Sequence, residues 1–437
     1  MADGLLESLL DTPVIATDKV PAWLAAVRQS ALAELARDGL PRAGNEAWKY
    51  TSLRALERRS FAQNDSGAAS HKINLESFDL PALDGPRLAF VNGVFREDLS
   101  HSPEIDGLTV QALSGAIDDD VEWVRPYLTR PFDESAQAFA RSNTALARDG
   151  ALIRVAPGSR IVEPVHLLFF GSAAEADIAW QVRSIVELGD GASLRLIEQH
   201  VGDSDATPFG NSVSQYVLGP KSRLDLVQIQ NTATGSTSIR RSEAVLAADA
   251  NLSMHALEIG GQLARHDVAI ELVGERSRFE SRGVFALRGR QHNDTHLDIR
   301  HIGRDSSSDV LWRGVADQRA RGVFHGAITI AAGADGSDAR LSNKNLLLSA
   351  NAEIDTQPVL EIHADEVKAS HGATVGQLDE TALFYLRSRG LDVESARQIL
   401  TRAFCGAALD RVKPESLRDY LLRQLTDQLH LSTGVVA

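Results

Sequence analysis

A repeat with a period of about 28 residues most constrains what this chain can fold into. Within residues 151–376, short β-branched and Leu-rich runs alternate with turns that contain Gly, Asp, Asn or Pro. Each repeat has an apolar residue, a polar turn with a small residue, and a second apolar residue six positions after the first. The copies are Leu188–Leu194, Leu218–Leu224, Leu246–Leu252, Val273–Phe279 and Leu348–Ile354, of which the first four start 30, 28 and 27 residues apart.

This spacing favours a β-solenoid over other all-β folds. One coil of a solenoid cannot bury its inner face alone, so stacked coils share one continuous core. The small residue in each turn lets neighbouring coils approach closely. A β-sandwich is the open alternative, because its hairpins also give evenly spaced turns. The solenoid is preferred because these turns are too far apart to be successive hairpins.

Helical patterns precede the repeat region. Residues 115–149 have helical character, and residues 87–97 predict a β-hairpin that turns at Asn92-Gly93. Residues 20–39 predict a helix that is ended by Gly39 and Pro41. The apolar residues at helical spacing in this helix are Trp23, Val27, Ala31 and Leu35.

Three further helices are predicted after residue 376. Asp379 can cap a first helix that stops at Gly390, Asp392 can cap a second, and Pro414 can open a third. The apolar residues of these helices are Leu383, Phe384 and Leu386 in the first, Ala396, Ile399, Leu400, Ala403 and Phe404 in the second, and Leu417, Leu421, Leu425 and Leu429 in the third. We expect the side chains named in the second helix to face inward.

The chain therefore divides into three predicted parts. They are an N-terminal helical region with a small β element (1–150), a β core (151–376) and a C-terminal helical domain (377–437). A chain of 437 residues exceeds the size at which one compact core stops growing, so several structural units are expected.

Charge and cysteine content exclude several classes of protein. The formal net charge of −14 argues against nucleic acid or a membrane surface as the main partner. The single cysteine, Cys405, cannot form an internal disulfide or hold a Cys-rich metal site alone, and its apolar neighbours predict a buried position. The N-terminus lacks a basic start and an apolar run, and no stretch of 18 apolar residues exists. A cytoplasmic location is expected.

The familiar catalytic motifs are missing from the sequence. It contains no G-x-x-x-x-G-K-[ST], no G-x-S-x-G, no H-E-x-x-H and no C-x-x-C. We therefore expect that this chain does not hydrolyse ATP itself and is not a stand-alone enzyme.

Two histidine-bearing stretches could carry chemistry. The first holds His363, Asp365, Glu366 and His371, and on a strand His363 and Asp365 would face the same way. Imidazole and carboxylate together suit iron, zinc or manganese. For most of these side chains a solvated strand face is the simpler interpretation. His371 is the exception, because the small residues of 372–376 allow close backbone packing beside it.

The second histidine-bearing stretch is 291–301. If it forms a strand, His296, Asp298 and Arg300 share one face. Outward-facing polar residues of a solvated strand are the simpler interpretation here as well.

Several motifs, taken together and in order, resemble the SufB/SufD family of iron–sulfur cluster assembly proteins. They are Glu46–Thr51 after Gly39–Pro41, then Asp335-Gly336, Asn343–Leu348 and Glu353–Thr356, then Val367–Gly376 with its His-Gly-Ala-Thr-Val-Gly run, and Leu383–Gly390. The resemblance extends from about residue 39 to about residue 405, nearly the whole chain.

The resemblance implies both a fold and partners. The fold is a mainly β structure, a right-handed parallel β-helix core flanked by N-terminal and C-terminal α-helical domains. The partners are SufB, in a heterodimer formed through the β-helix, and two copies of the ATPase SufC, which dock on the C-terminal helices. The docking region matches Phe384, Tyr385, Arg387 and Arg389. Without SufB, the chain could form a homodimer that imitates the heterodimer.

His371 matches the family histidine at that interface, where a neutral imidazole could ligate iron or a nascent cluster. Two departures matter. Some relatives carry cysteine where this chain has Ala369, and SufB carries an essential cysteine in the segment that matches Leu341–Leu348, which has none here. The chain is therefore similar to the SufD branch of the family. We expect it to hold no stable cofactor alone. A transient iron–sulfur cluster would depend on thiolates of SufB.

Two other functions remain open from the sequence. An independent metal-binding protein would use His363, Asp365 and His371. A carbohydrate-active β-helix enzyme would need paired carboxylates and aromatic platforms along a groove. The chain has only five Trp and five Tyr, and Trp23 and Trp48 lie outside the repeat region. The enzyme is therefore the less favoured of the two.

Overall fold

The computed structural model describes residues 4–12, 20–42, 44–63, 73, 75, 78–118, 122–132, 134–174 and 176–430. The α-helices within these ranges are α1 (Leu5–Leu10), α2 (Ala22–Asp38), α3 (Arg54–Glu57), α4 (Leu113–Asp118), α5 (Arg125–Leu128), α6 (Ala138–Leu146), α7 (Glu380–Ser388), α8 (Val393–Gly406) and α9 (Glu415–His430). Short 3-10 helices include Glu46–Trp48.

The strands in this part of the chain are β1 (Ala62–Gln63), β2 (Arg87–Val91), β3 (Val94–Phe95), β4 (Leu108–Ala112), β5 (Ala151–Val155), β6 (Val165–Gly171), β7 (Ile178–Leu188), β8 (Ser193–Gly202), β9 (Phe209–Leu218), β10 (Arg223–Asn231), β11 (Thr237–Leu246), β12 (Asn251–Glu258), β13 (Leu263–Leu272), β14 (Arg278–Leu287), β15 (His292–His301), β16 (Ser307–Ala316), β17 (Arg321–Ile330), β18 (Asp338–Leu347), β19 (Glu353–Ile362) and β20 (Lys368–Gly376).

Two facing sheets form the core, and each coil of the chain contributes one strand to each sheet. The odd-numbered strands from β5 to β19 build sheet A, and the even-numbered strands from β6 to β20 build sheet B. Neighbouring strands within these runs are parallel. The core is therefore a parallel β-helix of about eight coils, which confirms the predicted fold and excludes the sandwich.

The N-terminal part of the chain extends both sheets. Strand β4 adds to sheet A beside β5, and β2 adds to sheet B beside β6. The predicted hairpin is confirmed, because β2 and β3 pair antiparallel around Asn92 and Gly93, which have φ of 46° and 79°. The sheets thus begin before residue 151, where strand β5 starts. The division into three domains stays a prediction.

The corners that lead from sheet A to sheet B repeat one backbone device. From the β5–β6 corner to the β17–β18 corner, each has a left-handed residue whose N–H donates to a carbonyl of the next coil at 2.7 to 2.9 Å. These hydrogen bonds satisfy turn backbone groups and lock the coils in register. The left-handed residues, with φ between 55° and 78°, are Gly158, Gly191, Lys221, Asp249, Arg276, Asp305 and Gly336.

Four of the five predicted turn motifs lie at these corners. The fifth, Leu348–Ile354, lies between β18 and β19 and belongs to the opposite corner, which leads from sheet B to sheet A. Leu348 there packs outside sheet B, whereas Leu188 and Leu194 of the first motif face the lumen. The motif therefore marks a tight turn and does not distinguish one corner from the other.

Alternate residues of the strands fill the lumen between the sheets. In the later coils the lumen is packed by Phe285, Trp312 and Phe324, all fully buried. Glycines make room for these rings, since a Cβ atom at Gly283 would overlap the Trp312 ring and one at Gly314 would overlap the Phe285 ring. These glycines are needed for close packing rather than for turns.

The N-terminal helices cover the outer face of sheet A. The helix predicted at residues 20–39 is α2, and it ends at Gly39 with φ of 72°. Ala31 and Leu35 are buried as expected, whereas Trp23 is only half-buried and the charged Arg28 lies on the buried face.

The C-terminal helices α8 and α9 cover the outer face of sheet B. As predicted, the side chains of Asp379 and Asp392 cap α7 and α8, because each accepts a hydrogen bond from a backbone N–H in the first turn of its helix. Pro414 directly precedes α9. In α9, Leu417, Leu421 and Leu425 pack against sheet B. No helix in the described ranges is long and apolar enough to cross a membrane.

The predicted inward face of α8 is wrong in part. Ile399 is 45 % exposed and Ala403 is exposed, while Thr401 and Cys405 are buried beside Ala396. Helix α8 is amphipathic, but it meets the sheet on the Thr401 and Cys405 side of its apolar face, which its periodicity alone did not reveal.

Candidate functional site

The β-helix is open at its C-terminal end. Strands β19 and β20 are the last of sheets A and B, and each is paired on one side only. No described residues cover the outer edge of this last coil. Two large apolar side chains at this end, Ile362 and Val375, are 43 % and 42 % exposed. An unpaired edge and an uncovered apolar lumen together form a surface that is suited to another β structure.

His371 lies in the lumen-facing column of this open coil. It is the register partner of Leu341 on β18, which is buried in the lumen core. Parallel register partners point to the same side of the sheet, so His371 also faces the lumen side, where no further coil covers it. Its neighbours Ala369 and Ala373 align with Ala339 and Asn343. The imidazole is therefore exposed at the mouth of the lumen.

The other candidates of this stretch occupy a different position. His363, Asp365 and Glu366 lie in the exposed turn between β19 and β20, not on a strand, so the prediction that His363 and Asp365 share a strand face is wrong. The strand ends at Ile362 because the chain turns there into sheet B. Among the described residues, no group of three His, Cys, Asp or Glu side chains is arranged to hold a metal ion.

A small polar layer lies beneath the open coil. Asn343 Oδ1 accepts a hydrogen bond from Thr356 at 2.8 Å, and Asn345 donates to the Thr374 carbonyl at 3.1 Å. Both asparagines are buried and face the lumen. Their amide groups hydrogen-bond to each other and to β19 and β20, so they hold these last two strands in place at the mouth of the lumen.

The predicted SufC-docking residues lie on an uncovered helix. Helix α7 follows β20 directly and has no buried residue. Phe384 is 72 % exposed, so it does not face inward, and Tyr385 is 56 % exposed with the Arg389 guanidinium 5.2 Å from its ring centre. An exposed aromatic pair beside arginine has the composition of a protein-binding surface.

The stretch that contains Glu46–Thr51 anchors the N-terminal region on sheet A. The Trp48 ring is buried and lies 4.0 Å from the Arg265 guanidinium carbon, and its Nε1 donates to the Ala136 carbonyl. Thr51 donates to Asp294 and lies 2.8 Å from His292 Nε2. The Arg265 guanidinium and hydrogen bonds outweigh burial and hold the pKa of Asp294 well below its usual range. We call these contacts the clasp, because they fasten the N-terminal region to sheet A.

The predicted shared face of His296, Asp298 and Arg300 is confirmed, and it is the outer face of sheet A. Leu297 and Ile299 between them face the lumen. His296 Nε2 lies 2.8 Å from Asp294, and its ring stacks on that of His325 at 4.9 Å. Asp298 and Arg300 are exposed. These side chains extend the clasp and do not converge on one ligand position.

A buried polar chain in the middle of the lumen was not predicted from the sequence. Ser242 Oγ lies 3.0 Å from His266 Nε2, and His266 Nδ1 lies 3.1 Å from Glu258. This is the order of a hydrolase triad. All three residues are at most 3 % exposed, however, so a substrate cannot reach the serine. Ser242, Glu258 and His266 lie on three different strands, so no local motif in the sequence brings them together.

The charged side chains in this buried hydrogen-bonded network compensate one another. Burial alone would raise the pKa of Glu258, but hydrogen bonds from His266 and the nearby Arg240 guanidinium hold it at about 2. Burial lowers the pKa of His266, which keeps the imidazole neutral. Glu198 accepts from Tyr216 at 2.8 Å and from Gln228 at 3.0 Å. The arrangement fixes the lumen packing and offers no reactive surface.

Cys405 is a buried packing residue, as predicted. It is fully buried between α8 and sheet B, and burial raises the pKa of its thiol to about 12. A thiol of this kind is neither a nucleophile nor a metal ligand at neutral pH.

Comparison with known protein families matches most of the chain, from residue 11 to residue 404. Residues 169–404 match the family model described as "SUF system FeS cluster assembly, SufBD core domain", and residues 11–167 match the model described as "SufBD protein N-terminal region". The chain belongs to the SufBD family. The core match covers strands β7 to β20 together with α7 and most of α8.

Three similar proteins align with the chain over most of their length. The chain is 31 % identical over 405 residues to the iron–sulfur cluster assembly protein SufD of Escherichia coli, covering 92 % of each chain. It is 30 % identical over 408 residues to the iron–sulfur cluster assembly SufBD family protein slr0076 of Synechocystis, covering 90 % of this chain and 88 % of that protein. It is 25 % identical over 431 residues to the chloroplastic protein ABCI7 of Arabidopsis thaliana, covering 96 % and 88 %.

Proposed function

We propose that this SufBD-family chain is the SufD-type scaffold subunit of a cytoplasmic complex with SufB and SufC, and that it acts in cluster assembly without being an enzyme itself. The observation that carries the proposal is the open last coil with His371 at its mouth. A partner β-helix that pairs with β19 and β20 would cover the exposed lumen and enclose the imidazole.

Iron and sulfur are the cargo at that interface. A neutral imidazole is a ligand for iron, and thiolates from the partner would complete the coordination. The chain itself supplies no thiolate there, since its one cysteine, Cys405, is buried under α8. The scaffold is therefore incomplete without the partner, which also explains why a stable cofactor is not expected on the isolated chain.

Helix α7 gives the ATPase a route to this interface. It joins β20 through the short segment 377–379 and presents Phe384 and Tyr385 to solvent. A SufC subunit bound on α7 would sit at the end of the edge strand that carries His371. Motion of SufC on ATP binding would then shift the position of β20, an edge strand that is paired on one side only. Coupling between the ATPase and the interface needs an element with two alternative positions, and such a strand can provide it.

The test is co-expression of the tagged chain with SufB and SufC, followed by mass determination. We expect one SufB, two SufC and one tagged chain. Val375→Lys places a charge on the open end and should release SufB, whereas Val162→Lys, at a site that is 76 % exposed near the other end of the β-helix, should not. A chain that elutes alone, or SufB that stays bound to Val375→Lys, would refute the proposed interface.

A further inference from the structure

A small cavity lies between the N-terminal helices and the outer face of sheet A. Polar groups on its lining come from Arg28 of α2, Asn143 and Thr144 of α6, and Arg183 of β7. Its volume is about 10 Å³, which is room for a single small occupant. The rest of the lining is apolar: Leu24, Leu113, Leu128 and Ala147.

Two of the lining residues carry buried guanidinium groups with unused donors. Arg28 and Arg183 are each only 2 % exposed. Arg28 Nη2 donates to the Ala147 carbonyl at 2.7 Å, and Arg183 Nη2 donates to Gln215 at 3.1 Å. The remaining groups, Arg28 Nη1 and Arg183 Nε, are buried and have no acceptor among the residues that the structure describes. A buried donor without an acceptor is strongly unfavourable.

The charge around the cavity is unbalanced as well. None of its lining residues is acidic. Glu243 attracts Arg183, but the same carboxylate pairs with Arg130 at 3.1 Å and with Arg241 at 2.7 Å. Burial, with a smaller effect from nearby Arg148, lowers the pKa of Arg28 to about 10. Positive charge is therefore concentrated around this cavity, although the formal net charge of the protein is −14.

We propose that this cavity binds a small monovalent anion, chloride under cellular conditions, held by Arg28 Nη1 and Arg183 Nε. The anion would accept the two unused hydrogen bonds and compensate the buried charge. The apolar walls and small volume exclude sulfate and phosphate. Because Arg28 belongs to α2 and Arg183 to β7, the ion would fasten the N-terminal helices to the β-helix.

Water is the competing occupant. Asn143 Oδ1 also has no donor among the described residues, and its Nδ2 is fixed by the Val182 carbonyl at 2.8 Å and the Asn211 carbonyl at 3.2 Å. A water molecule could accept from a guanidinium and donate to that oxygen. Water carries no charge, however, and would leave Arg28 without a compensating charge and Arg183 with only its share of Glu243. The charge argument favours the anion.

Two measurements on the full chain test the site. Crystals grown in sodium bromide should show an anomalous peak between Arg28 and Arg183. In solution, the thermal midpoint should rise with chloride relative to gluconate at equal ionic strength, on the order of 2 °C for each tenfold increase above the dissociation constant. Arg28→Gln should lose this dependence, whereas Arg154→Gln, at a guanidinium that is 53 % exposed on β5, should keep it.

The outcomes separate the anion from water and from crystal-only binding. A bromide peak together with chloride-dependent stability of the unaltered chain supports the proposal, even if Arg28→Gln fails to fold. An oxygen-sized peak without anomalous signal, with equal stability in chloride and gluconate, overturns it. A bromide peak without any dependence in solution also overturns it, because the site would then fill only at crystallisation concentrations.

Discussion

Leu341 and His371 are register partners on the last two strands of sheet B, yet Leu341 is 4 % exposed while His371 stands uncovered at the mouth of the lumen. The difference arises because β18 is followed by another coil and β20 is not. One position of the repeat thus changes from a packing residue to an accessible imidazole at the end of the solenoid.

The exposed aromatic pair on α7 should be needed for the ATPase and not for folding. Replacing Phe384 and Tyr385 together with Ala removes side chains that are 72 % and 56 % exposed, so the melting temperature should not change. The affinity for SufC should fall on the order of 30-fold or more, as expected for aromatic residues central to an interface. Titration of SufC by calorimetry measures this.

The control for this variant is Ile399→Ala, at a residue of α8 that is 45 % exposed. It should leave the affinity for SufC unchanged. Equal binding by the unaltered chain and the double variant would place the ATPase elsewhere.

Gly314→Ala should destabilise the β-helix by overpacking. A Cβ atom at residue 314 would overlap the Phe285 ring and the Asn345 amide in the closed lumen. We expect a loss of about 1–3 kcal/mol in the free energy of unfolding. Gly115→Ala on α4 is the matched control, since a Cβ there meets nothing within 4 Å and helix propensity favours Ala. Denaturant unfolding that ranks the two variants equally would contradict this lumen packing.

Glu258 should make stability depend on acid pH. Its pKa is lowered from 4.5 to about 2, so its ionised form stabilises the fold above pH 4.5, and this contribution is lost as the pH falls toward 2. Glu258→Gln should flatten that part of the pH profile. It should also cost about 3–5 kcal/mol at neutral pH, because Arg240 keeps its buried charge without a partner.

The exposed Glu361 provides the control for this prediction. Glu361→Gln should leave the acid limb of the profile unchanged. If urea unfolding between pH 2 and 5 gives parallel curves for the unaltered chain and Glu258→Gln, the assignment of the buried carboxylate is wrong.

Cys405 should be inert in the folded chain. Its thiol is fully buried and its pKa is raised to about 12, so almost no thiolate is present at pH 8. Labelling with an aromatic disulfide reagent should be complete only after unfolding. An exposed thiol introduced by Ser370→Cys should react within the mixing time at the same pH. Rapid labelling of native Cys405 would show that α8 leaves sheet B.

The sequence predicted the solenoid because its corners must repeat. Each corner needs a tight turn at the same phase of the coil, and this requirement leaves a pattern that can be read in one sequence. The turn pattern did not distinguish the corners that lead from sheet A to sheet B from those that lead from sheet B to sheet A. Leu348–Ile354 fits the pattern although it lies at a corner of the second kind. The hairpin at Asn92-Gly93 was predictable because its turn requires residues that tolerate positive φ.

Packing that depends on distant parts of the chain was not predictable. Thr51 meets Asp294 across 243 positions, and Arg265 meets the Trp48 ring, so neither contact leaves a local pattern. The lumen chain from Ser242 to Glu258 was missed because polar residues on strands usually face solvent. His371 was found through its motif, whereas its place at the open end follows only from the strand order.

The role of His371 is tested by comparing His371→Ala with His363→Ala in the complex with SufB and SufC. Each complex is reconstituted with iron and sulfide, and its cluster content is followed by absorbance. Both histidines are exposed and only seven strand and turn residues separate them. We expect His371→Ala to assemble the intact complex but to accumulate little or no cluster, while His363→Ala matches the unaltered chain. Unchanged cluster yield with His371→Ala would contradict this role.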